Sequence, residues 1–214
     1  MKETGPVNGT AAAGLVLLHG RGGSPGDMLS LLETAALPEV AAAAPEAPGN
    51  SWWPTSFLAP TDEMERFVVR GCASVEKAVA ALVARRLPRN RIWICGFSQG
   101  ACLALEYFAR SGGGLAGVLA FSGGLVGTAD AAEATEPELY GHRPKRFDYA
   151  GRRAGSDVWI SVHERDPHIP LRRARESAAV LRDLGADVTL LIHPGGGHAV
   201  MQSDLSALRA RLNR

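Results

Sequence analysis

Uninterrupted apolar runs of strand length alternate along this chain with longer segments of helical periodicity, and Gly or Pro marks each change. The runs cover residues 14–18, 40–44, 91–95, 115–121, 158–162 and 188–192. A strand with one face in water would alternate apolar and polar side chains. Unbroken runs mean burial on both faces, as in a parallel sheet covered by helices. Helical segments fall between them at 27–36, 63–87, 99–110, 171–184 and 201–212. The expectation is an α/β fold, a mostly parallel sheet with helices on both faces, built as one domain over residues 1–214, since no repeat or linker interrupts the pattern. Residues 123–156 stand apart. Rich in Gly, Pro and charge and longer than an ordinary connection, they are expected to be functional or mobile, with a short helix near Ala131.

Composition narrows the class of partner. With 46% apolar and 21% charged residues, the 214-residue chain has the balance of a globular protein with a packed core. Twenty-three basic and 22 acidic side chains leave a formal charge of +1, so no net field draws the protein to nucleic acid or anionic lipid; a small molecule is the expected partner. Cys72, Cys95 and Cys102 are odd in number and lack C-x-x-C spacing, which argues against disulfides and a zinc site and for a reducing compartment. The early apolar stretch 11–18 is too short to span a bilayer, and Lys2 and Glu3 precede it. A cytoplasmic protein without signal peptide or membrane insertion is expected.

Gly96-Phe97-Ser98-Gln99-Gly100 matches the G-x-S-x-G pattern of a nucleophile elbow, in which a sharp strand-to-helix turn lifts a serine hydroxyl above the sheet of an α/β-hydrolase. The pattern is weak alone, and it occurs twice: Gly22-Gly23-Ser24-Pro25-Gly26 fits as well. Context separates them. Ser24 lies several residues past its strand in a Gly-rich loop, whereas the buried run Ile92-Trp93-Ile94-Cys95 leads straight into Ser98 and a helix former, Ala101 to Glu106, follows at once. Ser98 is therefore the candidate nucleophile.

A serine hydroxyl needs an imidazole to take its proton, and the imidazole needs a carboxylate to fix its tautomer. In this fold the acid and then the histidine follow the serine in the chain, each on a loop after a strand. His198 ends the run Pro194-Gly195-Gly196-Gly197-His198, whose glycines allow the backbone to bring a ring over the serine. Asp166 and Glu164 both follow the strand ending at residue 162; Asp166, deeper in a loop stiffened by Pro167 and Pro170, is preferred and Glu164 remains its competitor. His163-Glu164 resembles the start of H-E-x-x-H, but the next histidine, His168, is one residue too far and Pro167 intervenes, so no metal or other cofactor is expected. The first βα loop, Leu18-His19-Gly20-Arg21-Gly22-Gly23, is where this fold places its second oxyanion donor; the backbone N–H groups of Arg21 and Gln99 are the candidates.

In these residues the sequence resembles the phospholipase/carboxylesterase family of small α/β-hydrolases, which includes the acyl-protein thioesterases. The resemblance runs over nearly the whole chain and rests on Leu18-His19-Gly20, Trp52-Trp53-Pro54, the elbow at Ser98, Asp166-Pro167-His168-Ile169-Pro170 and Gly196-Gly197-His198. It implies a Ser98–Asp166–His198 triad, oxyanion donors at Arg21 and Gln99, ester or thioester substrates, and frequent homodimerisation. Thioesterase members usually carry Leu-Gly-Asp where this chain has Arg21-Gly22-Gly23, so the chain is closer to the family's small bacterial esterases.

The expected activity is cleavage of carboxylic esters of small or medium acyl groups through an acyl-enzyme. Thioester cleavage is the alternative on the same machinery, and a non-catalytic ligand-binding protein of this fold is the alternative from another class. The aromatic segment from Asn50 to Leu58 has neither helical nor strand period; Trp52, Trp53 and Phe57 from it, with Ile169 from the acid loop, are candidate walls of an apolar pocket. Without room for a large cap domain, that pocket is expected to be open and shallow, and the Arg21 side chain would attract an anionic group there.

Overall fold

The computed structural model describes residues 1–7 and 9–213. The order is β1 (Lys2–Thr4), β2 (Ala13–Leu18), α1 (Pro25–Thr34), β3 (Val40–Ala44), α2 (Thr61–Ala84), β4 (Ile92–Phe97), α3 (Gln99–Ser111), β5 (Gly117–Phe121), β6 (Ala129–Asp130), β7 (Lys145–Arg146), β8 (Asp157–Arg165), α4 (Leu171–Asp183), β9 (Asp187–Gly196) and α5 (Gln202–Leu212). Seven strands form one sheet in the order β1-β3-β2-β4-β5-β8-β9. All are parallel except β1, which pairs antiparallel with β3.

The strand period of two sorts the core into two layers. Within β2, Val16 and Leu18 pack with Met64 and Val68 of α2, Leu103 of α3 and Leu181 of α4, while Leu15 and Leu17 pack with Met28 and Leu32 of α1 and Leu208 of α5. Every residue of β2, β3 and β5 is buried, as the unbroken apolar runs require. This is the expected α/β-hydrolase architecture, with helices on both faces.

Several local expectations differ from the structure for identifiable reasons. The run at 188–192 continues through Pro194 and Gly195 to Gly196, because β9 is the last strand of the sheet and a proline on an edge strand removes no ladder bond. β8 likewise reaches Arg165, past a register shift between His163 and Arg165. Arg91, Leu115 and Ala116 lie outside their strands, and the second helix is displaced to 61–84, ended by the left-handed Arg86 (φ 66°). β1 was invisible because it is short, polar and exposed. The helix near Ala131 does not form; β6 and β7 pair there instead. Tertiary contacts decide this: the buried Lys145 ammonium binds the Ala59 carbonyl at 2.6 Å, Thr61 Oγ1 at 3.2 Å and the Asp130 carboxylate. Cys72, Cys95 and Cys102 are free thiols.

The turn at Ser98 connects this architecture to the site. Ser98 has φ 54° and ψ −120°, a left-handed backbone that costs of order 1–3 kcal/mol and persists only where surroundings enforce it. They do so by contact of backbone with backbone. A methyl on Gly96 would overlap the Gly100 carbonyl, and one on Gly100 would overlap the carbonyls of Leu18 and His19. Parallel strands then bring the segments after β2, β4, β8 and β9 to one edge of the sheet, where ligands of open α/β sheets bind.

Gly96→Ala and Gly100→Ala should each destabilise the fold by about 3 kcal/mol or more, since the obstacle is backbone that has no rotamer to move. Gly113→Ala, with open space around the new methyl, should stay within about 0.5 kcal/mol of wild type in the same urea titration.

Candidate active site

The strained turn holds Ser98 Oγ at 2.8 Å from His198 Nε2. The opposite ring nitrogen, Nδ1, lies 2.8 Å from Asp166 Oδ2 and 3.0 Å from Oδ1. Asp166 is almost fully buried, and Oδ1 also accepts the backbone N–H groups of His168 (2.9 Å) and Ile169 (3.0 Å). Burial alone would raise its pKa, but the hydrogen bonds from His198, His168 and Ile169 together with the His198 charge hold it below the ordinary aspartate value. An ionised Asp166 keeps the proton on Nδ1 and leaves the Nε2 lone pair facing the serine. Such an array can withdraw a proton from the hydroxyl as its oxygen attacks an electrophile.

Glu164 is not part of this array; its carboxylate accepts the Gly195 N–H at 3.2 Å on the exposed side of β9. The extension of β8 and β9 beyond their apolar runs carries the acid loop and the histidine loop out together. Gly197 rides on the buried His163 ring, where a side chain would collide, and His163 in turn lies 5.1 Å from the His193 ring. His168 meets His198 edge-on at 4.8 Å and Phe97 packs against it at 5.0 Å, which fixes the plane of the imidazole.

The Arg21 loop is anchored at several points. Ala47 donates its N–H to His19 Nε2 (3.1 Å), which leaves the ring proton on Nδ1, directed at the Gly20 carbonyl 2.8 Å away. Trp52 Nε1 donates to the His19 carbonyl (2.9 Å), and Gly22 donates to Asn50 (2.7 Å). Gln99 opens α3, so its N–H belongs to the first turn, which has no helical acceptors and carries the positive end of the helix dipole. Its side chain has a second role that no sequence pattern announced: Oε1 accepts Trp52 N–H (2.8 Å) and Nε2 donates to the Trp53 carbonyl (2.8 Å), pinning the aromatic segment to the elbow.

A cavity of about 400 Å³ opens beside Ser98 and His198. Trp53, Phe57 and Ile169 line it. Trp52 does not; its ring is buried in the core against His19, 5.2 Å between centroids, and its indole N–H is spent on the His19 carbonyl. Sequence reading missed Tyr140 and His142, which residues 123–156 contribute to the wall, and Cys102. The helical spacing of Cys102, four residues after Ser98, could have revealed it. Tyr140 Oη donates to the Asp166 carbonyl, tying that segment to the acid loop. Burial pushes the Cys102 thiol up to about 12, so it serves as a neutral wall atom. Among the described residues no group of His, Cys, Asp and Glu is arranged to hold a metal ion.

The family pattern described as phospholipase/carboxylesterase matches residues 6–139. The phospholipase/carboxylesterase of Dyadobacter fermentans is 34% identical, superposes with a TM-score of 0.85, and is matched over 100% of this chain and 95% of its own. The carboxylesterase of Bacillus cereus, 18% identical over 99% of this chain and 92% of its own with a TM-score of 0.74, shares the fold. The acyl-protein thioesterase 1 of Gibberella zeae is 28% identical over 125 residues, 58% of this chain and 48% of the thioesterase. The match thus spans about half the length of that curated relative.

Ser24, the second serine in a G-x-S-x-G context, caps α1: its Oγ accepts the Asp27 N–H (3.3 Å) while Asp27 Oδ2 accepts the Ser24 N–H (2.7 Å). Ser24→Ala should therefore lower stability by about 1 kcal/mol in thermal or urea unfolding and leave turnover of any substrate within twofold of wild type.

Proposed function

The chain belongs to the phospholipase/carboxylesterase family, and on that premise we propose that it is a serine hydrolase cleaving carboxylic esters of small or medium acyl groups. The observation that carries this reading is the unbroken relay from Ser98 Oγ through both nitrogens of His198 to the buried Asp166. In this reading His198 takes the Ser98 proton as Oγ attacks the ester carbonyl. The carbonyl electrons move onto oxygen, which the N–H groups of Arg21 and Gln99 receive. Collapse of the tetrahedral species expels the alcohol, protonated by His198, and leaves an acyl group on Ser98. Water, deprotonated by the same imidazole, then attacks the acyl-enzyme and releases the acid. Asp166 stays ionised throughout and stabilises the imidazolium.

The thioesterase relative in Gibberella zeae favours thioesters as a second substrate class, since a thiolate leaves by the same route. Matched ester and thioester pairs rank the two. The three free cysteines and the formal charge of +1 support a cytoplasmic enzyme acting on a small molecule, with no nucleic acid partner. No helix among the described residues is long and apolar enough to cross a membrane.

Ser98→Ala should abolish both esterase activity and labelling by a fluorophosphonate probe, with a loss of about 10⁶ in kcat. An unlabelled wild type would instead mark a non-catalytic ligand-binding protein. Asp166→Asn should cost about 10⁴ in kcat through the wrong tautomer, and Glu164→Gln, remote from the ring, less than about tenfold. Equal losses at both positions would move the acid function to Glu164.

A p-nitrophenyl ester series reads the cavity. At about 400 Å³ it sits near the lower end of small-ligand sites. The expected optimum in kcat/KM falls at short to medium acyl chains, and a steady rise to long chains would contradict it. Trp53→Ala should alter chain-length preference, whereas Trp52→Ala should chiefly lower Tm.

A further inference from the structure

The charge in the cavity wall points beyond neutral esters. The ionisable side chains lining it are Arg21, His142, His168, His198, Tyr140 and Cys102; no carboxylate is among them. Burial, with Lys145 and Arg173 nearby, holds His142 below the usual histidine pKa, and Cys102 is a neutral thiol. Arg21, exposed at the rim of the cavity, is left as its permanent charge.

Its guanidinium is both ordered and uncompensated. It donates to the Pro54 carbonyl at 2.7 Å and to the Thr55 carbonyl, on the segment that also supplies Trp53, Ser56 and Phe57 to the wall. Neutral carbonyls orient the planar group without cancelling its charge, and two bonds leave three of its five N–H donors unused. Among the described residues no acid pairs with it. Arg89, Arg110 and Arg172 illustrate the contrast, since each is matched to a glutamate. The buried carboxylates nearest the cavity are engaged behind its wall: Asp166 with His198 and two backbone N–H groups, Glu106 with Arg110, Tyr149 and the Val126 N–H.

We propose that this site, read as an esterase site, takes esters that carry a free carboxylate a few bonds from the scissile carbonyl, received by the Arg21 guanidinium. A planar guanidinium held in place matches a carboxylate with two parallel hydrogen bonds and loses little freedom in making them. A neutral ester of the same length makes no such pair and leaves the exposed guanidinium to water. The positive wall also draws the anion in from solution, an effect that salt weakens.

Two pairs matched in carbon-chain length test this, with the charge on either side of the ester: p-nitrophenyl hydrogen glutarate against p-nitrophenyl pentanoate, and 4-acetoxybutanoate against butyl acetate. In at least one pair kcat/KM should favour the anion by about tenfold or more, the lower range for a hydrogen bond between charged groups. That ratio should shrink in 0.5 M NaCl and fall at least fivefold in Arg21→Gln. The ratio is the readout because a shift of the Arg21 backbone would lower both members of a pair together. Ratios near or below one in both pairs, or a preference that Arg21→Gln leaves intact, would overturn the proposal. Binding separates it from the hydrolase reading. Ser98→Ala should bind monomethyl glutarate or 4-acetoxybutanoate at least tenfold more tightly than the neutral counterpart, and the added Arg21→Gln should remove the difference, whether or not the wild type hydrolyses either ester. Equal affinities refute the anion site; tight, Arg21-dependent binding without any turnover refutes only the esterase reading.

Discussion

Backbone pressed on backbone at the turn after β4 is the constraint on which the rest of the site depends. Gly96 touches the Gly100 peptide, Gly100 touches the carbonyls of Leu18 and His19, and Ser98 between them is forced to φ 54°. The same contact places the first turn of α3 against the end of β2 and the loop that follows it, beside the serine. Neither glycine contributes a functional group. Their role is to be absent beyond Cα, which lets a helix start where the strand stops and keeps the serine hydroxyl above the sheet.

Around this turn, the buried side chains of Glu106, Lys145 and Arg153 each have partners in place, which converts loops into fixed walls. Glu106, fully buried on α3, accepts from Arg110, the Tyr149 hydroxyl and the Val126 and Gly127 N–H groups, and so binds the start and end of the irregular segment to the helix that begins at the elbow. Lys145 ties the β6–β7 pair to the residues before α2. Arg153 caps the carbonyls of Phe108 and Ala109 at the other end of α3. Tyr140 and His142 reach the cavity because these anchors hold their segment down. A charge left without its partner in such a setting costs several kcal/mol, so the wall is as firmly specified as the core.

The sheet, its parallel sense and the helices on both faces were legible because burial on two faces leaves a direct imprint on a strand: a run of five or more residues that is wholly or almost wholly apolar. Where burial was partial the imprint faded. β1 is polar and exposed, β9 runs on through a proline and two glycines at the sheet edge, and the β6–β7 pair depends on one buried lysine. In the candidate site Ser98, His198 and Asp166 stood in contexts with a local physical signature. A strand running into a glycine-flanked serine, a glycine run before a histidine and a proline-braced loop are each readable within a few residues.

What the sequence by itself determined is what depends on neighbours along the chain: the order of strands and helices, the elbow, and the loops that carry the acid and the imidazole. What only the tertiary structure decided is what depends on neighbours across space. It gave Ser24 its place as the cap of α1, and brought Asp166 rather than Glu164 to the His198 ring. It also sent Trp52 into the core and Trp53 to the cavity, and left the Arg21 guanidinium without an acid. Adjacent residues of like chemistry are indistinguishable to any periodic reading. Their fates part only when the folded chain offers one of them a partner, because a hydrogen bond or an ion pair is fixed by distance in space and not by separation in sequence.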